Sequence, residues 1–512
     1  MRWAGAGPAS GGVATSGHGH SRSSCIESAP MLPELTTRQK TGLVLGPLLF
    51  VLLLLLPQPE GLSAAAMRVA AVALLMACFW MAESVPIPVT ATLPIFLFPL
   101  LGVMPTARVT ASYGDEILFL FMSGFLLAIA MQRWELHRRI ALTVIRHVGS
   151  SQQRLVLGFM LATALLSMWI SNSATAMMMM PVALAVIAET GSGQAAGESH
   201  RNFGTALMLA IAYAASIGGV ATLVGTPPNA IFAGLANTLY GLEIGFVDWM
   251  LVGVPVSLAL LLLCWYLLTQ RLYRLEHSGA SDAVAANHIE VELARMGPIS
   301  SEERRVALIF ALVAASWILR GLLKPDFLDL TADSALGMAG AFLLFVVPRG
   351  SGRPGRLLDW ETAVGIPWDI ILLMGGGFAL AQGFAATGLT EWLATRLTIL
   401  DGVAPFLVVL AVVMVVTFLT EMTSNAATAT LFVPVMGALA VSMGQHPLTL
   451  MVPACIAASM AFMLPVATPP NAIVFGSRLV SIQQMARAGL WLNLAGGFIV
   501  AVLTYFLTDR LR

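Results

Sequence analysis

The residues of this chain most able to do chemistry lie inside long apolar runs. Residues 155–189 read LVLGFMLATALLSMWISNSATAMMMMPVALAVIAE, with Ser171-Asn172-Ser173 near the middle. Helical segments of about 15 residues flank that tripeptide, each short of the ~20 needed to cross a bilayer, so a hairpin is predicted. At its tip the first segment would end in unpaired carbonyls and the second would begin with unpaired N–H groups. Carbonyls at a helix C-terminus suit a small hard cation, and N–H groups at an N-terminus attract an anion. Ser and Asn are strong N-caps, and their side-chain oxygens can also ligate sodium. One tip can thus hold a cation and an anion side by side.

A second kind of motif follows. In IGGVATLVGTPPNAIF (217–232), Gly218, Gly219 and Gly225 loosen the helix, and Pro227 and Pro228 remove two consecutive N–H donors. The expectation is an unwound stretch with bare carbonyls at mid-membrane depth, where only a cavity lining tolerates it, with Asn229 capping the helix that resumes. Both motifs occur again. The apolar run 404–441 carries Ser424-Asn425-Ala426, and MLPVATPPNAIVFGS (463–477) repeats the break with Pro465, Pro469 and Pro470. Singly, each motif reads equally well as a kink or a packing feature. Two kinds of motif, each present twice, point to ligand sites.

No Lys, Arg or His lies within either hairpin or either TPPN break. An anion held there would be neutralised by helix ends and co-bound cations, which favours sodium coupling. Glu421 is the one acid inside a hairpin; the first copy has Met168 there. It could be a proton relay or cation ligand, or a buried acid satisfied by Thr420, Thr423 or backbone N–H groups. Glu83, Glu116, Asp369 and Glu391 fall near span ends, where interfacial roles are expected. The Met177–Met180 run reads as adaptable packing.

The elements that must position these residues follow from composition. Of 512 residues, 58% are hydrophobic and 11% charged, with a mean hydropathy of +0.84, against about 25% charged in soluble domains. An all-α polytopic membrane protein is expected, with about 11 transmembrane helices plus the two re-entrant hairpins. Candidate spans lie near 41–57, 64–84, 88–103, 114–132, 204–239, 249–270, 305–321, 333–348, 368–396, 447–476 and 487–508. With the N-terminus cytoplasmic and both hairpins looping back, 16 basic residues of the connections fall inside and 6 outside. That bias obeys the positive-inside rule and collapses if either hairpin crosses once.

The two halves match in order. EILFLFMSGFLLA (116–128) resembles DIILLMGGGFALA (369–381) at an offset of 253, which also carries Ser171-Asn172 onto Ser424-Asn425. The TPPNAI motifs at 226 and 468 match at an offset of 242. Five spans lie between the hairpins, an odd number, so the second copy would be upside down. Inverted repeats with interrupted helices are the architecture of secondary transporters.

Other classes are disfavoured. A net charge of +0 argues against a nucleic-acid partner. The four cysteines form neither a disulfide framework nor a metal spacing. No span carries a nucleophile–base pair or metal cluster, so an enzyme is not expected. Hairpins entering from opposite faces suggest alternating access and not an open channel. Residues 1–35 read as a disordered cytoplasmic N-terminus, where His18 and His20 offer at most a weak metal motif; translation starting at Met31 is an alternative.

SNSATA…GTPPNA in one half and TEMTSNAATA…ATPPNA in the other resemble the divalent anion/sodium symporters, the di- and tricarboxylate transporters. The resemblance covers about residues 36–512. It implies an elevator-type homodimer, with a scaffold domain of 36–154 plus 305–403 and a transport domain of 155–271 plus 404–512. A cytoplasmic linker, 272–304, joins them. It also implies at least two sodium ions. The first would be held by Ser167, Ser171, Asn172 and the Gly225 carbonyl, and the second by Thr420, Thr423, Asn425 and the Ala467 carbonyl. The substrate carboxylates would sit near Asn172, Ser173, Asn425 and Ala426, with Thr226 and Thr468 nearby. The family's usual tip is Ser-Asn-Thr; here Ser173 keeps a hydroxyl and Ala426 cannot offer one, which bears on selectivity. The function implied is sodium-driven import of a C4-dicarboxylate (succinate, malate or fumarate), or a related di- or tricarboxylate, through the inner membrane. A dicarboxylate exchanger and a sulfate or other divalent-anion carrier are the alternatives.

Overall fold

The computed structural model describes residues 35–191, 198–275, 279–323, 332–350, 352, 354–396 and 402–511. His18, His20 and the alternative start at Met31 lie outside these residues, as does nearly all of the expected N-terminal segment.

The chain begins with α1 (Thr37–Leu55) and α2 (Ala64–Ala82), packed on each other. Short helices α3 (Ile87–Thr90) and α4 (Leu93–Leu100) then replace the span expected over 88–103. Pro94, in the first turn of α4, has no N–H to carry a continuous helix through. After α5 (Thr106–Ala111), α6 (Glu116–Arg133) starts at Asp115, whose Oδ1 accepts the Ile117 N–H at 3.0 Å. Amphipathic α7 (Leu136–Val148) leads to the first hairpin, α8 (Gln152–Ser167) and α9 (Asn172–Gly191).

The run 204–239 is not one helix but two, α10 (Glu198–Gly219) and α11 (Pro227–Tyr240), parted at the predicted break. α12 (Phe246–Tyr266) follows, extended by a π-type turn over Leu267–Leu272. The linker contains a helix that hydropathy did not suggest, α13 (Gly279–Met296). α14 (Ser301–Leu323), α15 (Asp333–Val346), α16 (Trp360–Ala363), α17 (Trp368–Thr387) and α18 (Leu389–Arg396) lead to the second hairpin, α19 (Pro405–Thr420) and α20 (Asn425–Ser442). The run 447–476 is likewise split, into α21 (Leu448–Ala457) and α22 (Pro469–Gly476), before α23 (Ile482–Leu507).

Each hairpin's second arm is longer than expected. α9 has 20 residues and α20 has 18, against 16 in α8 and in α19. Both long arms contain a proline at the same repeat position, Pro181 and Pro434.

Among the described residues, ten helices are long and apolar enough to cross a membrane, the two long hairpin arms included. Around an apolar core, large apolar side chains also cover the outside. In α1 only Gly42 and Gly46 are buried, while Val44, Leu48 and Leu55 are exposed. In α10 every residue from Phe203 to Gly219 is buried, and so is every residue of α21. Apolar surface of this extent is stable only against lipid. The chain is an all-α polytopic membrane protein with its interrupted helices innermost.

Several connections that the layout expects on one face meet one another. Arg138 bonds Glu292 at 2.6 Å, Arg139 bonds Glu303 at 2.7 Å, and Arg133 pairs with Asp359. Hydrogen bonding from Arg133 holds the Asp359 carboxyl well below the usual range. Elsewhere, Trp392 and Arg396 both donate to the Glu60 carbonyl, at 3.1 and 2.9 Å.

Candidate functional site

The first hairpin turns in four residues. Trp169 and Ile170 return their N–H groups to the Leu166 carbonyl at 3.0 and 2.9 Å, tightening the end of α8. Ser171 Oγ accepts the Ala174 N–H at 3.3 Å, so Ser171 caps α9. Behind the tip, Ser167 Oγ lies 2.6 Å from Asn172 Oδ1 and 2.7 Å from the Ala215 carbonyl oxygen. A hydroxyl has one proton, so it can donate to only one of these oxygens at a time. The Gly225 carbonyl closes on the same place. A Cβ on Gly219 would sit 2.6 Å from Asn172 Oδ1 and 3.1 Å from that carbonyl oxygen.

The second hairpin builds the same cluster. Thr420 Oγ1 lies 2.9 Å from Asn425 Oδ1 and 2.8 Å from the Ala458 carbonyl. Thr423 Oγ1 is 2.6 Å from Thr428 Oγ1. Ser167 and Thr420 are fully buried, behind the wall of the cavity described below.

The breaks differ from expectation. Thr226 is the N-cap of α11, and Asn229 lies inside that helix, fully buried. Its Nδ2 faces the carbonyls of Gly219 (3.0 Å), Val220 (3.2 Å) and Thr222 (2.7 Å). The unwound carbonyls are therefore not bare: an amide from the following helix holds them. Asn471 does the same for Ala461 (3.1 Å) and Leu464 (3.0 Å), and Thr468 Oγ1 accepts the Asn471 N–H at 3.3 Å. Trp249 and Ser257 brace the first break by donating to the Val220 and Ile217 carbonyls, each at 2.9 Å.

Between the tips lies a cavity of about 690 Å³. Ser171, Asn172, Ser173, Gly225 and Thr226 line it from the first set of motifs, and Thr423, Asn425, Ala426, Ala467 and Thr468 from the second. Of the site residues expected from sequence, only Ser167 and Thr420 stand behind this wall, each bonded to an Asn that lines it. Ala426 presents a methyl, and its carbonyl accepts from Thr430 at 2.8 Å.

Glu421 resolves in favour of backbone partners. Oε1 accepts from the N–H groups of Phe462 (2.7 Å) and Met463 (2.8 Å) and from Asn493 Nδ2 (2.7 Å); Oε2 accepts from Leu464 N–H at 3.2 Å. The carboxylate thus ties the second hairpin to the second break and to α23. Neither Thr420 nor Thr423 is among these partners.

Sequence reasoning missed five contributors. The Ala215 and Ala458 carbonyls join the oxygen clusters, but a backbone acceptor leaves no mark in residue type. Glu83 and Asp369, expected at interfaces, line the cavity. So does Arg38, which in sequence is only one of the basic residues preceding the first apolar run. Both clusters offer oxygen alone, the donor set of a hard cation. Among the described residues no His, Cys, Asp and Glu group is arranged to hold a metal ion.

The model of the sodium:sulfate symporter transmembrane region matches residues 38–508. A protein named sodium-dependent dicarboxylate transporter SdcS, from Staphylococcus saprophyticus, is 44% identical over 475 residues, covering 92% of this chain and 91% of that protein. The SdcS of Staphylococcus aureus strain MRSA252 is 43% identical over 478 residues, covering 92% of each. Two solved structures share the fold. The Alcanivorax borkumensis YdaH transporter has a TM-score of 0.52 at 14% identity, covering 78% of this chain and 87% of its own. Neisseria gonorrhoeae MtrF has a TM-score of 0.54 at 12% identity, covering 93% and 95%.

Proposed function

We propose, from the fact that this chain belongs to the sodium:sulfate symporter transmembrane family, that it couples sodium entry to the import of a C4-dicarboxylate such as succinate, malate or fumarate. The observation that carries this reading is the pair of oxygen clusters, Ser167–Asn172–Ala215 and Thr420–Asn425–Ala458, one on each side of a single cavity. The cavity's charged lining is Arg38 against Glu83, Asp369 and Glu421. A dianion cannot be held by such fixed charge. Sodium at the two clusters would supply the missing positive field, and the first-turn N–H groups of α9 and α20 would donate to the carboxylates. The relatives' names, as sodium-dependent dicarboxylate transporters, support the same substrate class.

In this reading Ser167, Ser171, Asn172 and the Gly225 carbonyl hold one sodium, and Thr420, Thr423, Asn425 and the Ala467 carbonyl another. Asn172, Ser173, Thr226, Asn425, Ala426 and Thr468 face the anion. Residues 155–271 and 404–512 move as the transport domain against a scaffold of 36–154 and 305–403. Within the transport domain α10 contacts both arms of the first hairpin and α22, and α23 contacts α12, α19 and α21, while α7 with α8, α11 with α17 and α18 with α20 are among the contacts across the boundary. The working unit is a homodimer in the inner membrane, with the N-terminus cytoplasmic.

The test is purified protein in proteoliposomes. Uptake of labelled succinate should require an inward sodium gradient and be competed by fumarate and malate. Uptake equal in sodium and potassium would overturn symport, and sodium-independent counterflow would establish an exchanger. Sulfate competing better than succinate would reassign the substrate.

A further inference from the structure

Among the described residues that line the cavity, Arg38 is the one basic side chain, and it comes from α1, remote in sequence from both hairpins. Its Nη2 donates to the Met422 carbonyl at 3.0 Å, and its Nε donates to the Met81 carbonyl at 3.0 Å. The Glu83 carboxylate lies 3.7 Å away. Met422 belongs to the second hairpin's tip, and its carbonyl sits at the negative end of the α19 dipole, so a cation there is complementary. The Arg38 side chain is still 51% exposed.

The base on which Arg38 stands is closely built. A Cβ on Gly42 would lie 2.4 Å from Ala82 Cβ and 2.0 Å from Ser84 Oγ, so α1 meets the end of α2 at backbone distance. Gln39 Nε2 donates to the Glu83 carbonyl at 3.2 Å, and Glu83 closes α2 in the left-handed region at φ 50°. The first hairpin's tip is held differently. Trp169 packs against Phe246, Phe310 and Trp317, with ring centroids 5.6, 4.8 and 6.4 Å away. An aromatic contact is indifferent to a passing anion. The Arg38–Met422 contact is not, because a guanidinium binds a carboxylate through two parallel hydrogen bonds and prefers it to a neutral carbonyl.

We propose that Arg38 is a clamp on the second hairpin: it docks the tip onto α1–α2 in the conformation whose cavity opens on that side, and a substrate carboxylate passing through competes with the Met422 carbonyl for its guanidinium. The clamp is a positioning residue, and it rests on the transport reading and on the sidedness proposed with it. Anion passage and release of the tip then become one event at one side chain. Because the contact belongs to one conformer, losing it lowers that conformer's population, and apparent affinity from that face falls with the competent fraction.

The experiment measures the KM for succinate separately from each face, in right-side-out and inside-out vesicles, for wild type, Arg38→Gln and Arg38→Lys. Arg38→Gln should raise the KM on the α1 N-terminal face by about threefold to tenfold, with no rise on the opposite face. Arg38→Lys keeps the charge without the fork and should fall between. A Vmax loss equal on both faces with both KM values unchanged would make Arg38 merely structural and overturn the clamp. Should Arg38→Gln fail to fold, Glu83→Gln frees the guanidinium of its countercharge and should lower the KM on the same face; an unchanged value there overturns the proposal. Wild-type vesicles without sodium-dependent uptake would overturn the transport reading itself and the clamp with it.

Discussion

Ser167 Oγ and Asn172 Oδ1 approach to 2.6 Å across the tip of the first hairpin, and Thr420 and Asn425 repeat the approach at 2.9 Å in the second. In each case a backbone carbonyl completes a triangle of oxygens around one hydroxyl proton. Ser167→Ala and Thr420→Val should each raise the sodium concentration for half-maximal uptake by about tenfold, the effect of losing one buried polar contact. Sodium titrations of succinate uptake read this directly. A rise in the succinate KM alone, with sodium dependence unchanged, would remove these residues from the cation sites.

Gly219 is the point where the first break comes closest to its hairpin. Gly219→Ala forces a methyl to within 2.6 Å of Asn172 Oδ1, so the cluster must open. The rise in Tm produced by sodium should shrink or vanish in this variant, since ligands stabilise by mass action. A full sodium-induced shift would show that the cluster does not bind the ion. The repeat position in the second copy is Ala461, which already carries a Cβ.

Asn229 Nδ2 shares its two protons among three carbonyls of the break, of which Val220 also accepts from Trp249 and Thr222 from the Gly225 N–H. Asn229→Ala should cost about 2 kcal/mol in stability, chiefly by leaving the buried Gly219 carbonyl without this donor. Asn229→Asp should be worse, because a carboxylate would face carbonyl oxygens with no proton to give. Thermal unfolding in detergent ranks the two, and equal Tm values for wild type and Asn229→Asp would refute the bracing role.

Glu421 accepts four hydrogen bonds that cross from a hairpin to a break and to α23. Glu421→Gln should lower stability by about 2 kcal/mol, because the new amide turns a donor toward an N–H. The pH profile of uptake should keep its shape. A profile displaced in Glu421→Gln would restore the proton-relay role.

Ala426 lines the cavity where its counterpart Ser173 has a hydroxyl. Ala426→Thr should change the ratio of succinate to citrate uptake severalfold, as expected when one hydrogen-bonding group is added to a site. An unchanged ratio would place Ala426 away from the bound anion.

The hairpin tips and the helix breaks were legible because polar residues, glycines and prolines interrupt apolar runs, and their recurrence at fixed offsets separated them from ordinary kinks. Helices α7 and α13 were not, since each mixes charged with apolar residues and has no long apolar run to mark it. The role of Asn229 was misread because an Asn just after a break has the signature of a cap. Its amide turns back to residues seven to ten positions earlier, a reach set by how the break folds. Arg38 was invisible for a simpler reason. Its partner Met422 is 384 positions away, and only tertiary packing brings a residue from before the first apolar run to a hairpin tip.

The two prolines that open both α11 and α22 have a consequence for turnover. A helix N-terminus normally offers its field and its N–H groups together. Here Pro227-Pro228 and Pro469-Pro470 leave the field and withdraw two donors from each helix. In the proposed role, an anion between Thr226 and Thr468 is drawn in by long-range attraction with few directional bonds to break on leaving. Residence time can therefore stay short while capture stays efficient, which a carrier needs and a tight receptor does not.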